Sequence, residues 1–166
     1  MRRAVVSSIL AMVLGFSAVT LSADSRPVLS GAAAGIELCP QFICGFALFA
    51  GRFEGHINSR PATGSFAAAI VHGPLPPIGQ TTPILGGQWT IAAGRRLFRG
   101  EVAGGTILNL NDTQFCVSMA MEMTDGGRGE IFFSGVLDHG PFPPTIAGLV
   151  TQSPSPCPLV GATTER

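Results

Sequence analysis

The length, charge and composition of this 166-residue chain exclude some classes of partner at once. Ten Lys plus Arg balance ten Asp plus Glu, and all ten cations are arginine. No basic stripe runs through the sequence, so we expect no nucleic-acid partner. The length is sufficient for one domain with a hydrophobic core.

The first 23 residues have the layout of a secretory signal peptide. Arg2 and Arg3 form a positive n-region, residues 4–19 carry no charge, and small residues precede a suitable cleavage position after Ala23. The uncharged run is shorter than the roughly 20 residues that span a bilayer, so we favour cleavage over an uncleaved anchor helix. We therefore predict a secreted or periplasmic protein with no transmembrane span in the mature chain. Its net charge would be near −2, with eight arginines against ten carboxylates.

All four cysteines lie after this leader, and an even number of cysteines in an exported chain indicates two disulfides. The competing hypothesis is a metal site, but Cys39 and Cys44 enclose four residues and no second close pair accompanies them. Four cysteines allow three pairings, and sequence alone does not choose between them. Of these we favour Cys39–Cys44 with Cys116–Cys157.

Short apolar runs separated by Gly, Pro, Asn and Asp predict an all-β domain over residues 39–151. A loosely ordered segment, 24–38, is expected before it, and a Pro-rich tail, 152–166, after it. The run 115–123 alternates most clearly, with its apolar face formed by Phe115, Val117, Met119, Met121 and Met123. The other candidate strands are 45–53, 64–71, 87–94, 102–110, 130–137 and 146–150.

Residues 102–110 are expected to alternate as well, and the sequence predicts one face formed by Val102, Thr106, Leu108 and Leu110. Residues 111–113, Asn-Asp-Thr, then mark a hairpin turn.

Seven or eight short strands joined by short links predict a small antiparallel up-and-down barrel, which we favour over a sandwich. Many faces consist of Gly, Ala and Ser, which permit sharp bends and close packing. The absence of Tyr and the single Trp argue against an outer-membrane barrel. The interior, built from Phe, Met, Leu and Trp89, is expected to be packed or to hold one small apolar ligand.

Two near-identical turns, HGPLPP at 72–77 and HGPFPP at 139–144, each follow an apolar strand. In an up-and-down meander both turns, with Cys44 and Cys116, lie at one end of the barrel. We favour a conformational explanation, in which Gly permits the turn, Pro prevents further pairing and His bonds a loop carbonyl. The catalytic alternative uses His72, His139 or His56 as acid or base.

A metal site is the weaker alternative at the same turns. Imidazole and carboxylate are ordinary ligands of zinc-like ions, and they would come from His72, His139 and Asp138. The spacing shows no further protein ligand, so our first expectation is a protein without metal or cofactor.

Arginines are predicted to gather at the opposite end, close to links between strands. The candidates are Arg60, Arg95, Arg96 and Arg128, with His56 beside them. They would bind an anionic ligand through bidentate hydrogen bonds. The alternative is a solvated set of loop charges, neutralised by Glu101, Asp125 and Glu130.

Standard catalytic motifs are absent: there is no GxSxG, no HExxH and no P-loop. The sequence therefore predicts an exported β-barrel that binds a small apolar or anionic ligand, or serves structurally, without catalysis. The alternatives are a small exported isomerase or hydrolase, and a metal-binding protein that uses His72 and His139. The sequence does not determine the oligomeric state.

Overall fold

Eight antiparallel strands in sequence order form a closed barrel in the computed structural model, which describes residues 28–157. The strands are β1 (Leu29–Cys39), β2 (Ala47–Ile57), β3 (Arg60–His72), β4 (Thr81–Ala93), β5 (Arg96–Asn109), β6 (Gln114–Asp125), β7 (Gly129–Asp138) and β8 (Thr145–Thr151), and a four-residue helix, α1 (Gln41–Cys44), lies between β1 and β2. Pairing of β1 with β8 closes the barrel. The prediction of an up-and-down barrel is confirmed, and the sandwich is excluded.

Alternation along the strands places an apolar core inside the barrel. The predicted face of β6 is confirmed, since all five of its apolar side chains are at most 5% exposed. Phe49, Phe53 and Phe98 are fully buried from other strands, and Trp89 donates its indole N–H to the Glu122 carbonyl at 3.3 Å. Most of the interior is therefore filled by side chains, as in other small barrels.

The first strand was not expected from the sequence. Residues 24–38 were predicted to be loosely ordered, which is wrong for 29–38, because β1 pairs along its length with β2 and along residues 31–36 with β8. Residues 30–35 of this segment are all Gly, Ala or Ser, which carry little strand propensity. The proposed leader, 1–23, lies outside the described residues, as does the end of the tail, 158–166.

The predicted face of residues 102–110 is also wrong, because a bulge interrupts β5. The register with β6 shifts between Val102 and Gly104, so one residue is inserted. Val102 points inwards before the bulge, and Ile107 and Asn109 point inwards after it. Thr106 and Leu108 consequently lie on the outer face. The 111–113 turn is confirmed: the Asn111 side chain accepts hydrogen bonds from the backbone N–H groups of Thr113 and Gln114.

Facing glycines let neighbouring strands approach closely on the inner face. The cross-strand pairs are Gly31 with Gly55, Gly35 with Gly51, and Gly135 with Gly148. A Cβ at any of these positions would collide with backbone of the paired strand. Aromatic rings cover several of them, for example the Phe133 ring over the Gly135–Gly148 pair. The glycines thus form the tightly curved wall of the barrel.

Both favoured disulfides are present. Cys39–Cys44 encloses α1, and Cys116–Cys157 ties the tail to the outer face of β6. Before Cys157, Pro154 and Ser155 lie against the outer surface of β5–β7. Two disulfides are compatible with an oxidising extracellular or periplasmic environment. No helix within residues 28–157 has the length and apolarity needed to cross a bilayer.

The meander gives the barrel two different ends. At the mouth end lie α1 and the loops that follow β3, β5 and β7. At the hairpin end lie the turns 58–59, 94–95 and 126–128. Both His-Gly-Pro turns are at the mouth end, as predicted, with Cys44 and Cys116.

Candidate functional site

A cavity of about 360 Å³ opens at the mouth end. Its wall is mostly apolar, and the buried apolar part of it consists of Ala47, Phe49, Ile70, Ile107, Val117 and Leu137. Below it, the free space in the packed core is only about 20 Å³, and Phe49 lines both spaces. The lower barrel is thus packed, and the upper barrel is open.

The short helix α1 and the first His-Gly-Pro loop form one side of the cavity. The Gln41 side chain accepts from the His72 backbone N–H and donates to the His72 carbonyl, each at 2.8 Å. The Cys39–Cys44 disulfide fixes the other end of the helix. The 73–80 loop is held in turn by buried Asn109, whose side chain donates to the Pro76 carbonyl at 2.8 Å. The mouth is therefore preformed by hydrogen bonds and a covalent link.

The most unusual group in the cavity is Glu37, which is only 5% exposed. It occupies an inward position of β1, opposite Phe49, and its backbone N–H donates to the Pro144 carbonyl at 2.9 Å. Buried carboxylates are rare unless they are paired. A buried acid at the mouth of an apolar cavity therefore identifies this wall as a candidate binding site.

The partner of Glu37 is His139, from the second His-Gly-Pro turn. Its Nε2 atom lies 3.1 Å from Glu37 Oε2. The two atoms are in contact but not aligned as a hydrogen bond, and both are buried without a hydrogen-bond partner among the described residues. Each of these two atoms therefore keeps an unmet hydrogen bond at the cavity wall.

His139 is held in place from two further sides. Its ring packs against Phe115 with ring centres 5.2 Å apart, and its backbone N–H donates to the Thr113 carbonyl at 2.8 Å. The preceding Asp138 accepts from the Gly140 backbone N–H at 2.7 Å and from the Gln114 side chain at 3.2 Å. The Gly140 hydrogen bond has the largest effect on the pKa of Asp138, and together these hydrogen bonds hold that pKa below its usual value. The turn thus presents a fixed imidazole to the cavity.

His72 lines the same cavity but has a different local role. Its Nδ1 atom lies 2.6 Å from the Gly73 carbonyl oxygen, so this nitrogen carries the proton. This contact supports the conformational explanation for the first turn. Within residues 28–157 no three His, Cys, Asp or Glu side chains are grouped to hold a metal ion. His72, His139 and Asp138 are accordingly not brought together as such a group.

Exposed apolar side chains surround the opening. Phe42 of α1 is 85% exposed, Leu75 of the first loop 48%, and Phe142 of the second loop 100%. Phe42 and Leu75 also line the cavity itself. An apolar surface that continues into an apolar cavity is typical of a ligand or interaction site.

The hairpin end brings together part of the predicted arginine set. Arg60, Arg95 and Arg96 line one cleft of about 490 Å³ between the first two hairpins, whereas Arg128 is not part of it. The Arg96 guanidinium also lies over the Phe98 ring, 5.5 Å from its centre. All three arginines are exposed. His56 is on the outer face of β2 and lines neither this cleft nor the mouth cavity.

The sequence-based interpretation missed Glu37 and Gln41. Glu37 does have a signal, since it is the one charged residue between Arg26 and Arg52. Its inward orientation depends on the register of β1, a strand that the sequence did not predict. Gln41 gave no signal, because its role depends on the end of β3 lying beside α1.

Comparison of the chain with family models, with curated proteins and with solved structures found no match.

Proposed function

We propose that this protein is an exported, non-catalytic binding module that holds a small apolar ligand in the mouth cavity. The observation that carries this proposal is an open, mostly apolar space of about 360 Å³ in a barrel that is otherwise packed. Pockets for small molecules begin at about 300 Å³ and combine apolar walls with a few polar groups.

The rigidity of the mouth supports a binding role. The clamp between Gln41 and His72 and the anchor from Asn109 order both sides of the opening before a ligand arrives. A preformed site loses less conformational entropy on binding, so more of the contact energy appears as affinity. The exposed rim, with Phe42 at its edge, extends the apolar contact beyond the cavity.

Export is part of the same proposal. A charged n-region followed by an uncharged run supports it, as do two disulfides, which persist in oxidising compartments.

Blocking the cavity tests the proposal. Ala47 is 2% exposed and lines the cavity, so Ala47→Phe places a ring inside it. We expect naphthalene to bind the wild-type protein in calorimetry, and Ala47→Phe to weaken that binding at least about tenfold. The matched control is Ala147→Phe, on the exposed face of β8, which should bind as the wild type does. Equal binding by both variants would contradict the proposal.

A second candidate, a small isomerase or hydrolase, is favoured by the Glu37–His139 contact at the cavity wall. A carboxylate and an imidazole side by side are able to move a proton within a bound molecule. Mass spectrometry of molecules incubated with the protein distinguishes the two functions. Recovery of a chemically altered molecule, prevented by Glu37→Gln, would establish the enzyme in place of the binding module.

A further inference from the structure

We propose that the mouth cavity selects apolar molecules that carry an uncharged hydroxyl group, and that this hydroxyl bonds both Glu37 and His139 from the cavity side. The inference rests on the proposed ligand-binding function and adds the chemical class of the ligand. It starts from two buried atoms, Glu37 Oε2 and His139 Nε2, that lie 3.1 Å apart and have no hydrogen-bond partner among the described residues.

Leaving such atoms dry and unpaired is unfavourable, so a ligand that supplies both missing bonds gains affinity. A carboxylate only accepts hydrogen bonds, whereas an imidazole N–H donates one. One hydroxyl oxygen is able to donate to Glu37 and accept from His139 at the same time. It is therefore the smallest ligand group that satisfies both atoms.

Other ligand groups fit this pair less well. A ligand carboxylate would meet the negative charge of Glu37, and no arginine of the described range lies at the mouth end to offset it. An ammonium group donates to Glu37 but offers no acceptor to His139. A hydrocarbon leaves both protein atoms unpaired. Sites built to bond a hydroxyl reject analogues that lack it.

The size of the cavity limits the rest of the ligand. A volume of about 360 Å³ corresponds to roughly twelve water-sized groups, so the ligand body contains on the order of ten heavy atoms. Phe42 and Phe49 line the cavity and provide aromatic contacts to that body. A compact phenol or a medium-chain alcohol meets both conditions.

Four naphthalenes of nearly equal size test the selection: naphthalene, 2-naphthol, 2-naphthoate and 2-naphthylmethylammonium. We expect 2-naphthol to bind the wild-type protein at least about tenfold more tightly than naphthalene, and more tightly than either charged analogue. The flexible pair 1-nonanol and nonane should show the same preference for the alcohol.

Variants of Glu37 show whether this side chain is the cause. Glu37→Leu should bind naphthalene and 2-naphthol equally, and Glu37→Gln, which keeps the shape of the side chain, should reduce the preference and admit 2-naphthoate. The matched control is Glu54→Leu, on the exposed outer face of β2, which should keep the wild-type preference.

The outcomes separate the two proposals. Equal binding of naphthalene and 2-naphthol by the wild type overturns the hydroxyl inference but leaves the binding function intact. Retention of the preference in both Glu37 variants also overturns it. If none of the probes binds the wild-type protein, the proposed function itself fails.

Discussion

The two ends of the barrel are built by opposite means. The hairpin end closes with turns of two or three residues and carries exposed arginines, whereas the mouth end has longer loops and no arginine of the described range. Turns this short leave no space for a cavity at that end of the barrel. Longer loops that are tied down by Gln41, Asn109 and a disulfide enclose a cavity without filling it. One end thus serves closure, and the other has the features of a site.

Removing the disulfides separately should give the largest effects. Cys116–Cys157 spans 41 residues and Cys39–Cys44 spans five. Loop-closure entropy predicts losses in unfolding free energy of about 4 kcal/mol for Cys116→Ser/Cys157→Ser and about 2 kcal/mol for Cys39→Ser/Cys44→Ser. Urea unfolding measures both.

Ligand binding should follow the reverse order, because only the smaller disulfide holds α1 at the mouth. We expect Cys39→Ser/Cys44→Ser to weaken naphthalene binding more than Cys116→Ser/Cys157→Ser does. Equal loss of binding in the two variants would show that the mouth is not an independently fixed region.

Replacing both members of the buried pair should stabilise the mouth end. Glu37 is desolvated and its contact with His139 is not aligned as a hydrogen bond, so the pair offsets little of its own desolvation. We expect the double variant Glu37→Leu/His139→Leu to raise the free energy of unfolding by about 1–3 kcal/mol, measured in urea. A clear loss of stability would instead show that the pair supports the fold.

At the hairpin end, a glycine should stabilise the first turn. Asn58 and Ser59 have φ values of 52° and 64°, in the left-handed region that favours glycine. We expect Ser59→Gly to add up to about 1 kcal/mol to the free energy of unfolding, measured by thermal denaturation. Naphthalene binding should stay unchanged, and a change would mean that the two ends are coupled.

Acid should weaken both ends to a small extent, but salt should distinguish them. The pKa of Asp125 is lowered mainly by the hydrogen bond from Arg99, and that of Asp138 mainly by the Gly140 backbone N–H. Each carboxylate therefore contributes stability that is present above about pH 4 and is lost as the pH falls through its lowered pKa.

High salt screens the exposed Arg99–Asp125 pair more than backbone hydrogen bonds. The change that Asp125→Asn makes to the acid sensitivity should therefore shrink in about 1 M salt, while that of Asp138→Asn persists. Urea unfolding between pH 2 and pH 7 measures both, and an equal salt effect would contradict this assignment.

The sequence predicted the strands whose two faces differ in chemistry. In β6 large apolar side chains alternate with small or polar ones, so its inner face was evident from the sequence. In β1 both faces consist of small residues apart from Leu29 and the run Ile36–Leu38, so alternation was hidden. In β5 the bulge between Val102 and Gly104 changes which side chains point inwards, and a glycine pair alone does not reveal its position.

The sequence predicted only the part of the site that follows from topology, namely which turns share an end of the barrel. Alternating strands brought His72 and His139 to one end, because a meander fixes which turns share an end. The contact between His139 and Glu37 depends on barrel closure, since β8 pairs with β1 and brings Pro144 next to Glu37. Local patterns in the sequence do not predict that β8 pairs with β1.

The glycine-lined inner wall predicts an uneven tolerance to mutation among the small residues of the barrel. At Gly35 or Gly51 even a methyl group collides with the backbone of the facing strand. Alanines on the outer face, such as Ala32 and Ala147, are exposed and have room for larger side chains. A saturation mutagenesis map should therefore show inward glycines that accept no substitution next to outward alanines that accept most of them. Such a map would show, without a structure, which positions face into the barrel and which face outwards.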